Sequence, residues 1–172
     1  MLRLKLDEIP EGSSNLDLEC SPEEIDLEYE DVSFISNVII NLSLFRQITT
    51  IFIKAITSVD AEIECSRCLE QVSIKLEAIS QVQYSPLPKI AYDQIEAIGI
   101  GYYTDEYINL SDEIRESLLL ELPMTVLCSE DCEGLCPQCG QNLNRAKCDC
   151  SKSEALSDNK VSVFAKLLEI KR

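Results

Sequence analysis

Histidine is absent from this chain of 172 residues. That excludes serine–histidine and cysteine–histidine catalysis, histidine metal ligands and an imidazole pH switch. Tryptophan is absent too, and phenylalanine and tyrosine together number ten. No apolar run reaches the roughly 18 residues that a membrane-spanning helix needs, so no membrane span is expected. Positive charge is scarce: 15 Lys and Arg stand against 31 Asp and Glu, a net −16. A protein that grips RNA directly needs a basic groove or aromatics placed for stacking, and this sequence shows neither. The stretch 1–10 alternates leucine with charge and lacks signal-peptide or transit-peptide character. The cysteines are therefore expected to meet a reducing cytosol, where metal binding is a better use for them than disulfides.

What the chain does have is cysteine and acid. Nine cysteines are present: Cys20 alone, Cys65 and Cys68 as a mid-chain pair, and six between 128 and 150. Residues 1–31 hold eleven acids against Arg3 and Lys5, whereas residues 151–172 carry five basic side chains against three acids. The acidic stretch reads first as a solvated face that keeps the protein soluble, and secondly as a docking surface for basic partners. At 45% hydrophobic residues the length suits one ordinary domain plus a small appendage.

Periodicity sets the expected elements. Leu2, Leu4 and Leu6 alternate with charge, as do Leu16 and Leu18, then Ile25, Leu27 and Tyr29 on the far side of a Ser21-Pro22 turn. Val38 to Phe45 and Thr49 to Cys65 are rich in β-branched residues, and Val72, Ile74 and Leu76 continue the alternation towards Tyr84. This predicts strand, Cys-Ser-Arg-Cys turn, strand, ended by Pro86 and Pro88, with 85–101 as a mobile connection. Ile114, Leu118 and Leu122 recur every four residues, predicting a helix near 111–122, capped by Ser111 or Asn109 and stopped at Pro123. The expectation is an α+β fold. A β-rich domain over 1–127, antiparallel with one main helix, precedes a zinc-knuckle-like cysteine segment over 128–150. A linker and a short amphipathic helix follow over 151–172.

Cys136-Pro137-Gln138-Cys139-Gly140 has the form of a zinc-knuckle half: two intervening residues let a tight turn aim both sulfurs at one ion, and glycine permits the close backbone approach. Six thiols are too many for one tetrahedral site and too few for two. Adding Cys65 and Cys68 makes eight. The preferred division gives Cys136, Cys139, Cys148 and Cys150 to one zinc and Cys65, Cys68, Cys128 and Cys132 to a second. Cys132 lies four residues from Cys136, which leaves exchange of ligands between the sites open. Four thiolates would also suit an iron–sulfur cluster. A redox role for Cys65 and Cys68 fits less well, because strand-period sequence rather than a helix start flanks the pair. With all-cysteine ligands and no base beside them, the two zinc ions are expected to be structural. Cys20 reads as an ordinary small side chain.

Cys65-Ser66-Arg67-Cys68-Leu69-Glu70 forms the first part of a larger pattern. Leu119-Leu120-Glu121-Leu122-Pro123, the run from Cys128 and Cys132 to Asn144, Cys148-Asp149-Cys150 and the closing Phe164-Ala165-Lys166-Leu167 complete it. Together these resemble the YceD-like family, the large ribosomal RNA subunit accumulation proteins, from about residue 30 onward. The resemblance implies a bacterial cytoplasmic protein, of a kind also found in plastids, needed for normal accumulation of the large-subunit rRNA. Some family members lack the Cys-Pro-x-Cys-Gly cluster but keep the mid-chain pair, which suits two separable sites here.

What the resemblance implies is a role in ribosome biogenesis; the acidic balance and the lack of histidine argue that it is non-enzymatic and runs through a basic ribosomal protein or a pre-ribosomal particle, with at most a weak local rRNA contact by Arg67 and the basic tail. The alternatives are a CxxC thiol oxidoreductase and an RNA-processing enzyme. The latter would need a carboxylate cluster, for which Asp105, Glu106, Asp112 and Glu113 are candidates by composition alone.

Overall fold

The computed structural model describes residues 2–86, 99–103 and 106–150. The strands are β1 (Arg3–Lys5), β2 (Gly12–Cys20), β3 (Val32–Phe34), β4 (Val38–Gln47), β5 (Thr50–Glu64), β6 (Gln71–Pro86), β7 (Ile100–Tyr103) and β8 (Tyr107–Asn109). Helix α1 covers Ser111–Leu120. The fold is mostly strand with one α-helix among the described residues. None of the described helices is long and apolar enough to cross a membrane.

The main sheet runs β2-β4-β5-β6-β7, with β3 beside β5. Its spine is the β5–β6 hairpin, whose antiparallel register holds from Ile51↔Tyr84 to Glu64↔Gln71. At 15 and 16 residues these strands are long, and about 3.3 Å per residue makes the hairpin roughly 50 Å from end to end. The Cys65–Cys68 turn sits at its tip. Alternation explains the pairing: Val38, Ile40, Leu42 and Leu44 of β4 face inward with Ile51, Ile53, Ala55, Val59 and Ala61 of β5. Ile108, Leu110, Ile114 and Leu118 close over this face. Helix α1 packs against β5, β6 and the short 3₁₀ turn at 22–25.

The chain start clamps the helix. β1 pairs with β8 in a small separate sheet. The Leu2 N–H donates to the Ser111 hydroxyl at 2.7 Å, and the Leu110 N–H donates to the Leu2 carbonyl at 3.0 Å. Arg46 reaches back to accept the N-terminal segment, donating from Nη1 to the carbonyls of Leu6 and Ile9, both at 2.7 Å. Residues 2–31 are thus packed, acidic surface included.

Several expectations need correction. The sheet is not wholly antiparallel: β7 runs parallel to β6, Gln83↔Ile100 to Pro86↔Tyr103. The stretch between Pro86 and Ile100 is long enough for the crossover that a parallel partner requires. Ser85 and Pro86, assigned by sequence to a mobile connection, are the end of β6, and Ile100 and Gly101 begin β7; residues 87–98 lie outside the described residues.

Ile25, Leu27 and Tyr29 are not a strand. Ser21 and Glu24 form a reciprocal capping box that winds Pro22–Ile25 into a 3₁₀ turn, and Asp26 follows in the left-handed region. Ile25 and Leu27 are buried all the same. The helix ends at Leu120, before Leu122, and Leu110 holds its cap position. Asn109 Oδ1 accepts from the Ser111 N–H at 3.1 Å, while the Ser111 hydroxyl is used by Leu2. The helix foreseen within 151–172 lies outside the described residues. Cys20 is buried in the core, where burial pushes its thiol pKa up.

The helix is held by its buried face, so Leu118→Ala should remove about 3 kcal/mol of stability. Urea unfolding checks this: the midpoint falls while the slope is unchanged.

Candidate metal centres

The Cys65-Ser66-Arg67-Cys68 turn is built by backbone geometry. The Cys65 N–H donates to the Glu70 carbonyl at 2.8 Å, and the Leu69 N–H returns to the Cys65 carbonyl at 2.9 Å. Leu69 is left-handed, with φ 59°. The Cys136-Pro137-Gln138-Cys139 turn repeats this pattern position for position. The Cys136 N–H donates to the Gln141 carbonyl and the Gly140 N–H to the Cys136 carbonyl, both at 2.8 Å, with Gly140 at φ 73°. The two CxxC turns are the same knuckle. One carries glycine at the left-handed position; the other holds a leucine there against an intrinsic cost of about 1 kcal/mol.

Each knuckle is completed by a second cysteine pair. Cys65, Cys68, Cys128 and Cys132 bring their sulfurs within 4.8 Å of one another, and so do Cys136, Cys139, Cys148 and Cys150. The division expected from sequence is the one the fold makes. Cys65 and Cys132 sulfurs are 3.8 Å apart and those of Cys68 and Cys128 3.5 Å. A tetrahedral ion with bonds of about 2.3 Å sets its sulfurs about 3.8 Å apart. All nine cysteines are unbridged. Either tetrad could hold one metal ion.

The electrostatics fit that use. Burial opposes ionisation of Cys65, yet the backbone N–H groups of Arg67, Cys68 and Cys128 bring its thiol down to about 6. The N–H groups of Cys139 and Gln138 do the same for Cys136, also to about 6. Cys68 and Cys150 hold their protons tightly. The Glu70 N–H favours a Cys68 thiolate, but burial and three sulfur neighbours outweigh it and push Cys68 up to about 12. Cys139 and burial push Cys150 to about 12. So each knuckle offers one ready thiolate, while neighbouring sulfurs hold the protons on Cys68, Cys128, Cys148 and Cys150 until a cation offsets the repulsion between thiolates.

The first tetrad joins distant parts of the chain. Ser66 N–H donates to the Val126 carbonyl at 2.8 Å, and Val126 N–H to Ser66 Oγ at 3.2 Å. The Arg67 carbonyl accepts from Leu135 N–H, and its Nη1 donates to the Cys132 carbonyl at 2.9 Å. Arg67, expected as a local RNA contact, has this structural bond. Gly134 (φ 76°) lies so close to the turn that a Cβ there would meet the Arg67 carbonyl oxygen at 3.0 Å. Cys65, Cys68 and Cys132 are buried, walled by Val72, Leu127 and Leu135.

The second tetrad is more open: Cys136 is buried, Cys139 exposed, and Cys148 and Cys150 are half-buried. Asn144 connects the two centres, accepting from Glu133 N–H at 2.8 Å and donating to the Cys132 sulfur at 3.3 Å. The Arg145–Glu70 ion pair at 2.6 Å adds a surface tie worth at most about 1 kcal/mol. In the sequence, Ser66, Gly134 and Asn144 stand within the family motif with no role of their own; the fold gives each one a contact between the two knuckles or across the first tetrad.

Among the described residues, the carboxylate candidates Glu106, Asp112 and Glu113 belong to no metal-binding cluster. Asp112 pairs with Arg115 at 3.1 Å. Burial and nearby Glu116 raise the pKa of Glu113. Glu106 supplies its carbonyl to the Leu6 N–H, and Asp105 lies outside the described residues.

A Cβ at Gly140 would meet nothing within 4 Å, so only its positive φ opposes a side chain. Gly140→Ala should cost about 1 kcal/mol there, lowering metal affinity of the second tetrad about fivefold and leaving the first unchanged. Competition with a chromophoric chelator measures this.

Comparison with known proteins places these features in context. The family described as large ribosomal RNA subunit accumulation protein YceD matches residues 53–171, starting later than the resemblance from about residue 30 suggested. An uncharacterised protein of Mycobacterium tuberculosis is 38% identical over 78 residues, 45% of this chain and 37% of its own length. The large ribosomal RNA subunit accumulation protein YCED homolog 1, chloroplastic, of Arabidopsis thaliana is 45% identical over 47 residues, 27% of this chain and 15% of that protein. Its Zea mays counterpart is 40% identical over 47 residues, 27% of this chain and 16% of that protein. The matches thus span well under half the length of these relatives. No solved structure matches. With most of its length matched, including all eight cysteines of the two tetrads, the chain belongs to the YceD family of large ribosomal RNA subunit accumulation proteins.

Proposed function

We propose that the chain is a non-enzymatic factor that supports accumulation of the large-subunit rRNA during ribosome biogenesis, with two structural zinc ions holding its shape. It acts in the bacterial cytoplasm through a basic ribosomal protein or a pre-ribosomal particle. Family membership supplies the process, and the accumulation role is also in the names of the plant relatives. The observation that carries the mode is the pair of closed four-thiol tetrads.

Four sulfurs within 4.8 Å leave room for one ion and none for the bridging irons and sulfides of a cluster. Thiolate-only donors in a tetrahedron favour zinc, and with four protein ligands no position stays open for an activated water. The oxidoreductase reading needs an accessible low-pKa thiolate. Cys65 is fully buried, with three further sulfurs around it. The net −16 disfavours a grip on bulk phosphate and favours basic protein.

Elemental analysis of the purified protein should give two zinc per chain and neither iron nor labile sulfide. Cys136→Ser with Cys139→Ser should lose one zinc and loosen the second tetrad only, and Cys65→Ser should lose the other. Full zinc retention in either variant would overturn the assignment, as would a metal-free Cys65–Cys68 pair cycling through a disulfide.

In cells, deletion should lower large-subunit rRNA relative to small-subunit rRNA. An unchanged ratio would show that the family's process does not extend to this protein. Naked RNA should bind weakly, with affinity falling as salt rises.

A further inference from the structure

An antiparallel sheet packed on one face ordinarily turns polar residues outward on the other. The main sheet here departs from that rule. Ile39 and Phe45 of β4, Phe52 and Ile56 of β5 and Ile79 of β6 point away from the core and are 41–64% exposed. Register makes them neighbours. Phe45 lies opposite Phe52, with ring centroids 6.2 Å apart, and Ile56 lies opposite Ile79. Twist of the sheet makes part of this face concave, a groove of about 460 Å³ lined by Ser43, Phe45, Phe52, Lys54, Gln81 and Gln83. None of these apolar side chains serves the core or either tetrad.

The rim on the side of the hairpin tip has a definite charge. Asp17 and Glu19 of β2, Asp60 and Glu62 of β5 and Glu77 of β6 crowd that end of the face by register, against Lys75 there and Lys54 beside the phenylalanines. Lys75 is already paired with Glu77 at 2.7 Å, while Asn41 and Asn37 donate to Asp17 and Glu19 and hold those carboxylates in place. An apolar, aromatic-bearing patch with a charged rim at one end and uncharged polar side chains such as Ser43, Gln81 and Gln83 at the other has the make-up of a protein interface. A second copy of this chain would bring another net −16 against an acidic rim. RNA would meet the same repulsion and find only two partly spaced aromatic rings. A segment that is basic and also presents apolar side chains satisfies both parts of the surface.

We propose that this outer sheet face docks a basic protein segment bearing apolar side chains. The inference rests on the reading of the chain as a biogenesis factor acting through a basic protein, and it names the surface that does so. The rim accelerates encounter in a salt-dependent way, and the apolar centre sets the lifetime of the complex.

The test uses the full chain. A photoreactive phenylalanine analogue replaces Phe52, cross-linking is carried out in growing cells, and the joined peptide is identified by mass spectrometry. In parallel, the wild-type chain and an Ile56→Asp, Ile79→Asp variant are sedimented with large-subunit precursor particles. Both substituted positions are exposed, so zinc content and circular dichroism should stay unchanged. The expected results are a cross-link to a positively charged, apolar-bearing segment of a ribosomal protein and an apparent affinity about tenfold lower for the variant. Asp17→Lys with Glu77→Lys should slow association and flatten its salt dependence.

A cross-link to a second copy, to RNA, or to residues 151–172 of the same chain would overturn the proposal. So would a variant that sediments like wild type, which would leave the biogenesis reading standing with another surface. If the wild-type chain itself fails to join precursor particles and its deletion leaves the rRNA ratio unchanged, the functional reading fails and takes the proposal with it.

Discussion

The meeting of Cys65 and Cys68 with Cys128 and Cys132 is the constraint on which the molecule's far end depends. Cys65 and Cys132 are 67 residues apart in sequence and 3.8 Å apart at their sulfurs. Closing so long a loop costs conformational entropy that a few surface contacts cannot offset. The walls of the junction are thin: Val72, Leu127 and Leu135 are only partly buried. Once Cys65 is a thiolate, the sulfurs packed beside it hold the protons on Cys68 and Cys128. An ion bound at the junction would make binding and local folding one free energy. The junction fixes the tip of the hairpin, which fixes the end of the long β5–β6 ladder, and it gives the chain beyond α1 a place to start its second knuckle.

The two centres divide the work. The first is buried except at Cys128 and joins distant segments, so its cysteines come from two parts of the chain. The second is local and more exposed, built from 136–150, and leans on the first through Asn144 and the Gly134 carbonyl, which accepts from Leu143 N–H at 2.9 Å. The order of dependence follows. The first tetrad anchors a platform, and the second extends it. A chain lacking the second cluster would retain a complete hairpin staple; one lacking the first would have no fixed site on which to place the second.

Much of this was legible in the residues. The knuckle spacing of Cys136 and Cys139 reads directly, and counting thiols in fours led to the same division that the fold makes. The β-rich runs at Val38 and Thr50 read well because one face is consistently apolar. Legibility failed where long-range or left-handed geometry decides. Ile25 and Leu27 alternate as a strand would, but Pro22 and the Ser21–Glu24 capping box bind the local backbone into a turn first. The parallel β7 could not be read because four residues carry no mark of the direction of their partner. Ser111 looked like a helix cap, yet its hydroxyl is claimed by Leu2, a residue that only the folded chain brings near. Leu69 gave no hint of a left-handed position that glycine fills in the sister knuckle.

The outer sheet face gains its meaning from that same comparison of pattern and place. In sequence, Ile39, Phe45, Phe52, Ile56 and Ile79 simply strengthen the impression of β-rich runs, because apolar residues on both sides of a strand read as propensity. Only the register assigns them to the side away from α1. A strand apolar on both faces belongs either in the interior of a larger assembly or against a partner. Acids crowd the end of this face nearest the hairpin tip, so the proposed partner that would relieve its exposure is one the protein's net charge would also attract. In the proposed docking, the charge that makes bulk phosphate a poor ligand and the apolar patch that makes water a poor cover would favour the same chemistry, a basic polypeptide with side chains to bury.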